Sequence, residues 1–284
     1  MIDAVRILLS GLIDYAGLFP PAALGMGEAA RNYAAYRGGA YAWALGRFVV
    51  PAARLEEFER SAAGYLSEAD PWRLSALVGG EAEWRAVAEF NARHPGCLID
   101  TAEVKAASAD EIAPGPVVIY VEIPLARVEL IPAIARAGVR AKARTGGVTA
   151  EAIPAAAELA RFITACARAG VGFKATAGLH HPLRSTQALT YEPESARATM
   201  HGFLNVFLAA AFARAEMGED ELTGVLAEES PSAFRFDEAG ARWKARRLTN
   251  EQLASAREKF AIAFGSCSFE EPIEDLQALG LLTR

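Results

Sequence analysis

Short apolar runs alternate with longer amphipathic runs from one end of this chain to the other. Runs with period-two alternation or unbroken apolar character predict strands over 11–16, 43–50, 73–77, 97–101, 117–123, 139–144, 171–176 and 233–236. Between and after them, amphipathic stretches predict helices over 27–36, 53–66, 81–93, 107–112, 128–136, 150–169, 194–215 and 250–264. Thr149 and Thr249 are placed as N-caps, and Gly138-Val139 and Gly170-Val171 each close a helical stretch. Eight strands alternating with eight helices over 284 residues predict one domain, a single (β/α)8 TIM barrel spanning 1–284. A doubly wound open sheet is the alternative arrangement of the same elements. The segment from 264 onward is expected to be a C-terminal tail over one end of the barrel, acting as a lid or a partner contact.

The alternation also sorts the side chains. Over 139–144 one face is Val139, Ala141, Ala143 and the other Arg140, Lys142, Arg144. Over 171–176 the second face is Gly172, Lys174, Thr176, and over 117–123 it is Val118, Tyr120, Glu122. If the apolar faces pack on helices, the polar ones point into the barrel. Glu122, Lys142, Arg144, Lys174 and Thr176 then converge at the C-terminal strand ends, where barrel active sites sit. Asp100, read as ending the fourth strand, and Asp14, in the first, are expected to join them.

Composition sharpens this. The 29 basic residues include only five lysines, so lysine stands where arginine is the chain's default cation. Arginine holds an anion but never loses its proton, so it cannot attack a carbonyl. Lys142 and Lys174 are therefore the candidates for amine chemistry. Two ammonium groups about 6 Å apart repel by roughly 3 kcal/mol at an effective dielectric of 20. On that ground one of the two is expected to be neutral near pH 7. The structural reading pairs both lysines with Glu122 and Asp100 and assigns them no chemistry.

Arg144-Thr145-Gly146-Gly147 offers a guanidinium fork and turn amides to an anion, with Arg47 as a second cation. His180 is a candidate substrate contact or acid/base group, and adjacent His181 points away from it in an extended segment. His201 and Asn205, four residues apart, are placed on one helix face. Phe19 and the prolines after it are read either as one wall of the mouth or as a rigid turn. Cys267 has no histidine tied to it in sequence and is set aside as a nucleophile.

The net charge of −6 argues against a large basic nucleic-acid surface and leaves room for a local basic pocket. Three scattered cysteines without CxxC spacing suit a reducing compartment. No secretory leader is expected, and the longest apolar stretch, 203–213, reads as a buried helix too short to span a bilayer. The expectation is a cytoplasmic protein with no nucleic-acid or membrane partner, no cofactor and no metal, its ligand a small anionic carbonyl metabolite. Barrels commonly pair through their helices, so a homo-oligomer is compatible with this reading.

Four motifs fall in a telling order: Leu12-Ile13-Asp14, Leu98-Ile99-Asp100, Lys142-Ala143-Arg144-Thr145-Gly146 and Lys174-Ala175-Thr176-Ala177-Gly178. In these short motifs the chain resembles the class I deoxyribose-phosphate aldolases. The resemblance implies a Schiff base on Lys142, with Lys174 keeping that amine neutral and Asp100 helping to relay the proton. Arg144 stands where that family has a small hydroxyl residue, and the eighth strand lacks a clear Gly-Ser phosphate loop. Two other functions fit the same fold. One is a metal-assisted hydrolase or isomerase using Glu122, His180 and His201; the other is a non-catalytic barrel that binds an anionic metabolite.

Overall fold

A computed structural model describes residues 2–283. Seven parallel strands run in sequence as β1 (Ile13–Tyr15), β2 (Leu45–Pro51), β3 (Trp72–Leu77), β4 (Cys97–Lys105), β5 (Val118–Glu122), β6 (Arg140–Arg144) and β7 (Phe173–Thr176). A hairpin follows, β8 (Ser185–Ala188) with β9 (Arg197–Met200), then an antiparallel sheet of β10 (Phe234–Asp237), β11 (Gly240–Trp243) and β12 (Arg246–Thr249). The strand β13 (Ala261–Ser266) closes the barrel between β7 and β1. The fold is the (β/α)8 barrel that the alternation predicts.

Two strand assignments change. The segment 233–236 belongs to β10 in the small sheet and is not a barrel strand. The eighth barrel stave is β13, which the helical pattern over 250–264 conceals. That pattern contains a genuine helix, α9 (Asn250–Lys259), opened by a capping box in which Thr249 and Gln252 satisfy each other's backbone amides. The chain then turns at Phe260 and extends.

The helices are α1 (Asp3–Leu9), α2 (Met26–Arg37), α3 (Leu55–Ala62), α4 (Glu81–Arg93), α5 (Ile131–Arg136), α6 (Ala156–Ala169), α7 (Phe203–Arg214), α8 (Glu219–Leu226), α9 and α10 (Glu270–Ala278). The fourth crossover, expected as a helix over 107–112, holds only a single 3-10 turn at Ala109–Glu111. Thr149 caps nothing with its side chain; α6 begins after Pro154, which cannot continue a helix from 150. Gly170 does close α6, in the left-handed conformation at φ +67°. Residues 197–200 extend as β9 after a turn at 193–194, and only from Phe203 does the expected helix form. That helix, α7, is apolar on every side and buried accordingly. Among the described residues no helix is long and apolar enough to cross a membrane.

One buried arginine fastens the closing stave. Arg257 of α9 donates from Nε to Leu8 O at 2.7 Å, from Nη2 to Ser10 O at 3.2 Å and from Nη1 to Ile262 O at 2.7 Å. It thereby satisfies carbonyls at the C-terminus of α1 and at the start of β13. Arg257→Leu strands these acceptors, at about 1–3 kcal/mol for a buried unsatisfied group. Thermal unfolding should show a midpoint several degrees lower; an unchanged midpoint would refute this role.

Candidate active site

β5, β6 and β7 are in register so that Glu122 lies beside Lys142 and Lys142 beside Lys174. All three side chains turn inward and are buried. Lys174 Nζ donates to Asp14 Oδ2 and to Glu103 Oε1, both at 2.6 Å. Lys142 Nζ lies 2.7 Å from Glu103 Oε2 and 2.8 Å from Glu122 Oε2. Arg144 Nε donates to Glu122 Oε1 at 2.9 Å. The result is a chain of alternating charge, Asp14–Lys174–Glu103–Lys142–Glu122–Arg144, with three anions and three cations. Ser75 Oγ donates to Glu103 Oε1 at 2.7 Å, and the backbone amide of Arg47 donates to Asp14 Oδ1 at 2.7 Å.

Glu103 is the member that sequence reasoning misses. Its carboxylate bridges the two lysines, one oxygen to each. Burial alone would raise its pKa, but the Lys142 and Lys174 ammonium groups hold it far below the usual carboxylate range. Burial alone would lower the pKa of Lys174, but Asp14 and Glu103 outweigh it and hold the amine above the usual lysine range. Glu122 likewise is lowered by Lys142 and Arg144 against the opposing effect of burial. The expected ammonium–ammonium repulsion is thus offset by a shared anion, and Lys174 is a firmly held cation.

Asp100 is not in this site. β4 runs on to Lys105, so Asp100 lies three residues, about 10 Å, toward the N-terminal end from Glu103. It is the extra residue of a bulge, where β3 registers Leu74 with Ile99 and then Ser75 with Thr101. Its carboxylate pairs with Arg47, at 2.5 Å and 3.0 Å, and with Arg73 Nε, at 2.6 Å. The guanidinium of Arg47 is therefore committed to Asp100 and does not serve an anion at the C-terminal end.

The open space above the network is a cavity of about 340 Å³. Its floor includes Lys142 and Glu103; Phe19, Pro20, Val49 and Leu77 form apolar wall. Arg144, Gly147, Thr176, His180 and Cys267 also line it. Lys174 does not line this cavity and is only 1% exposed. The Arg144 side chain is 47% exposed and also borders a neighbouring cavity of about 530 Å³. Thr145 and Gly146 are committed to the scaffold. The Thr145 hydroxyl donates to Thr176 O at 3.2 Å and Ala177 O at 2.6 Å, and a Cβ on Gly146 would meet Gly178 Cα at 2.9 Å.

The two adjacent histidines both approach Glu271, His181 Nε2 at 3.8 Å, but differ in their other partners. His181 Nδ1 meets Asp275 Oδ2 at 2.6 Å, while His180 Nδ1 faces Glu271 Oε2 at 3.4 Å and Cys267 Sγ at 3.8 Å. Cys267, set aside on sequence grounds, therefore has a histidine beside it, 87 positions away in the chain. His201 and Asn205 do not bond each other. His201 Nε2 meets Pro154 O at 2.8 Å, and Asn205 bonds the backbone of Arg184, Val225 and Glu228. Glu122, His180 and His201 are not gathered into one site. Among the described residues no group of three or more His, Cys, Asp or Glu is arranged to hold a metal ion.

No protein-family model matches the chain, and no curated protein matches it.

Proposed function

We propose that this barrel is a lyase of the class I aldolase type, forming a Schiff base between Lys142 and a small anionic carbonyl compound. One observation carries the reading: of the two buried lysines, Lys142 is the one on the floor of the cavity, with carboxylates of Glu103 at 2.7 Å and Glu122 at 2.8 Å. Glu122 Oε2 is the acceptor in this reading, because Glu103 is already shared with Lys174 and Ser75. The Glu122 oxygen is buried and has no hydrogen-bond partner, although Lys142 Nζ stands beside it in ion-pair contact.

The chemistry follows from that arrangement. Lys142 passes a proton to Glu122 and its nitrogen lone pair adds to the carbonyl carbon. Loss of the carbonyl oxygen as water gives the iminium ion. The bond between the carbons α and β to it then breaks, and its electron pair flows into the iminium. A β-hydroxyl supplies the departing aldehyde when its proton is taken by a carboxylate. Lys174 and Glu103 lie beneath as a fixed ion pair that positions the amine. Arg144, at the rim, supplies a guanidinium fork for the substrate's carboxylate or phosphate. Relative to the aldolases that its motifs resemble, the chain would use Glu122 in place of Asp100.

The test is borohydride reduction of the intact protein with a panel of small aldehydes and ketones that carry a carboxylate or phosphate. A stoichiometric mass gain equal to the ligand less one oxygen is expected. No covalent gain across the panel would contradict the proposal.

A further inference from the structure

Cys267 and His180 reach the same cavity from two separate loops, the thiol from the segment after β13 and the imidazole from the loop after β7. Both are buried, and Sγ lies 3.8 Å from Nδ1. Further elements pack around the pair. Tyr191, between β8 and β9, brings its hydroxyl to 3.6 Å from Sγ and 3.1 Å from Glu271 Oε2. Glu271, in the first turn of α10, stands 3.4 Å from His180 Nδ1. The loop after β1 contributes the Ala22 backbone, and Tyr15 of β1 lies close enough for its charge state to be felt. Nothing in the Schiff-base reading uses this cluster.

We propose that Cys267, paired with His180, is a second nucleophilic centre of the cavity, a thiolate that adds reversibly to the carbonyl carbon of a small aldehyde. A carbonyl is the electrophile that engages both members of the pair. The sulfur forms a bond to carbon, the π pair of C=O moves to oxygen, and that oxygen takes the proton from the His180 imidazolium. Thiolate, imidazolium and aldehyde become a neutral thiohemiacetal and a neutral imidazole, with no other reactant consumed. The proposal stands apart from the Lys142 chemistry, because none of its residues is a lysine.

Electrostatics agree with the geometry. Burial alone would lower the pKa of His180, but its contacts with Cys267 and Glu271 raise it to about 9. Burial alone would raise that of Cys267, but His180 and Tyr191 bring it below the usual thiol value. Cys97 and Cys166 are buried away from the cavity, where burial pushes their thiols up. They serve as internal controls.

The experiment is iodoacetamide alkylation of the full chain across pH 5–9, followed residue by residue by peptide mass spectrometry. In the native protein the Cys267 rate should inflect below the free-thiol value of about 8.5. In His180→Gln the inflection should rise, with the rate at pH 7 falling about tenfold per pH unit of the rise. A native inflection at or above the free value, or one that His180→Gln leaves in place, would overturn the pairing. The second arm adds glyoxylate, or glycolate as its counterpart without an aldehyde, to Lys142→Arg, which cannot form an imine. Glyoxylate alone should slow alkylation of Cys267 there. Equal protection by glycolate, or none by glyoxylate, would overturn the carbonyl assignment while leaving the lysine chemistry to its own test.

Discussion

Glutamine in place of Glu103 should destabilise the barrel by about 3–5 kcal/mol, the usual cost of removing one partner from a buried ion pair. The side chain is nearly isosteric, so packing is retained and the electrostatic loss is isolated. Glu103 accepts from Ser75 and Lys174 and contacts Lys142 at its other oxygen. An amide offers only one acceptor oxygen, and its NH2 group would face an ammonium. For a chain of this size the melting temperature should fall by roughly 10 °C. The contrast is Asp70→Asn, which breaks a pair whose carboxylate is 81% exposed and should change stability little. A Glu103→Gln protein that melts like Asp70→Asn would refute the role given to the network. The pH dependence has a definite sign. Glu103 is lowered in the folded state, so its contribution is complete above the unfolded value of about 4.3 and is lost as pH falls below it toward the folded value. Lys174 is raised, so its contribution is complete below about 10.4 and is lost as pH rises through the folded value. The acid limb should therefore be shallower in Glu103→Gln than in the native protein.

Arginine in place of Lys142 should abolish covalent trapping and reduce turnover of any carbonyl substrate by at least about a thousandfold. The substitution keeps the positive charge between Glu103 and Glu122, so the alternation of charge survives. It removes the nucleophile, because a guanidinium does not deprotonate in a protein. Fold and function are thereby separated: melting should move far less than in Glu103→Gln while trapping disappears. Persistence of the adduct in Lys142→Arg would move the chemistry to another residue.

The barrel was legible because most of its strands are short and sharply bounded, and because period two puts lysines on the face opposite valine, phenylalanine and alanine. The lysines stood out further because the chain writes most other cations as arginine. β13 was hidden because it directly follows a capped helix, and Ala263 and Phe264 continue the helical spacing of Leu253, Ala256 and Phe260. Glu103 was hidden for a related reason. Charged Glu103 and Lys105 look like the end of a strand, whereas Thr101, Glu103 and Lys105 continue the alternation of β4 past its bulge at Asp100. Reading β4 as ending near 101 placed Asp100 at its C-terminal end, whereas the strand runs on to Lys105. No spacing rule could have joined Cys267 to His180, since only barrel closure through β13 brings the two loops together.

The central claim is that two neighbouring buried lysines are made unlike by their surroundings, one lying open to ligand and the other clamped between Asp14 and Glu103. Peptide mapping of the borohydride-reduced adduct addresses this directly. The account predicts that the added mass resides on the peptide containing Lys142 and that Lys174 remains unmodified. Label on Lys174 with Lys142 intact would contradict it.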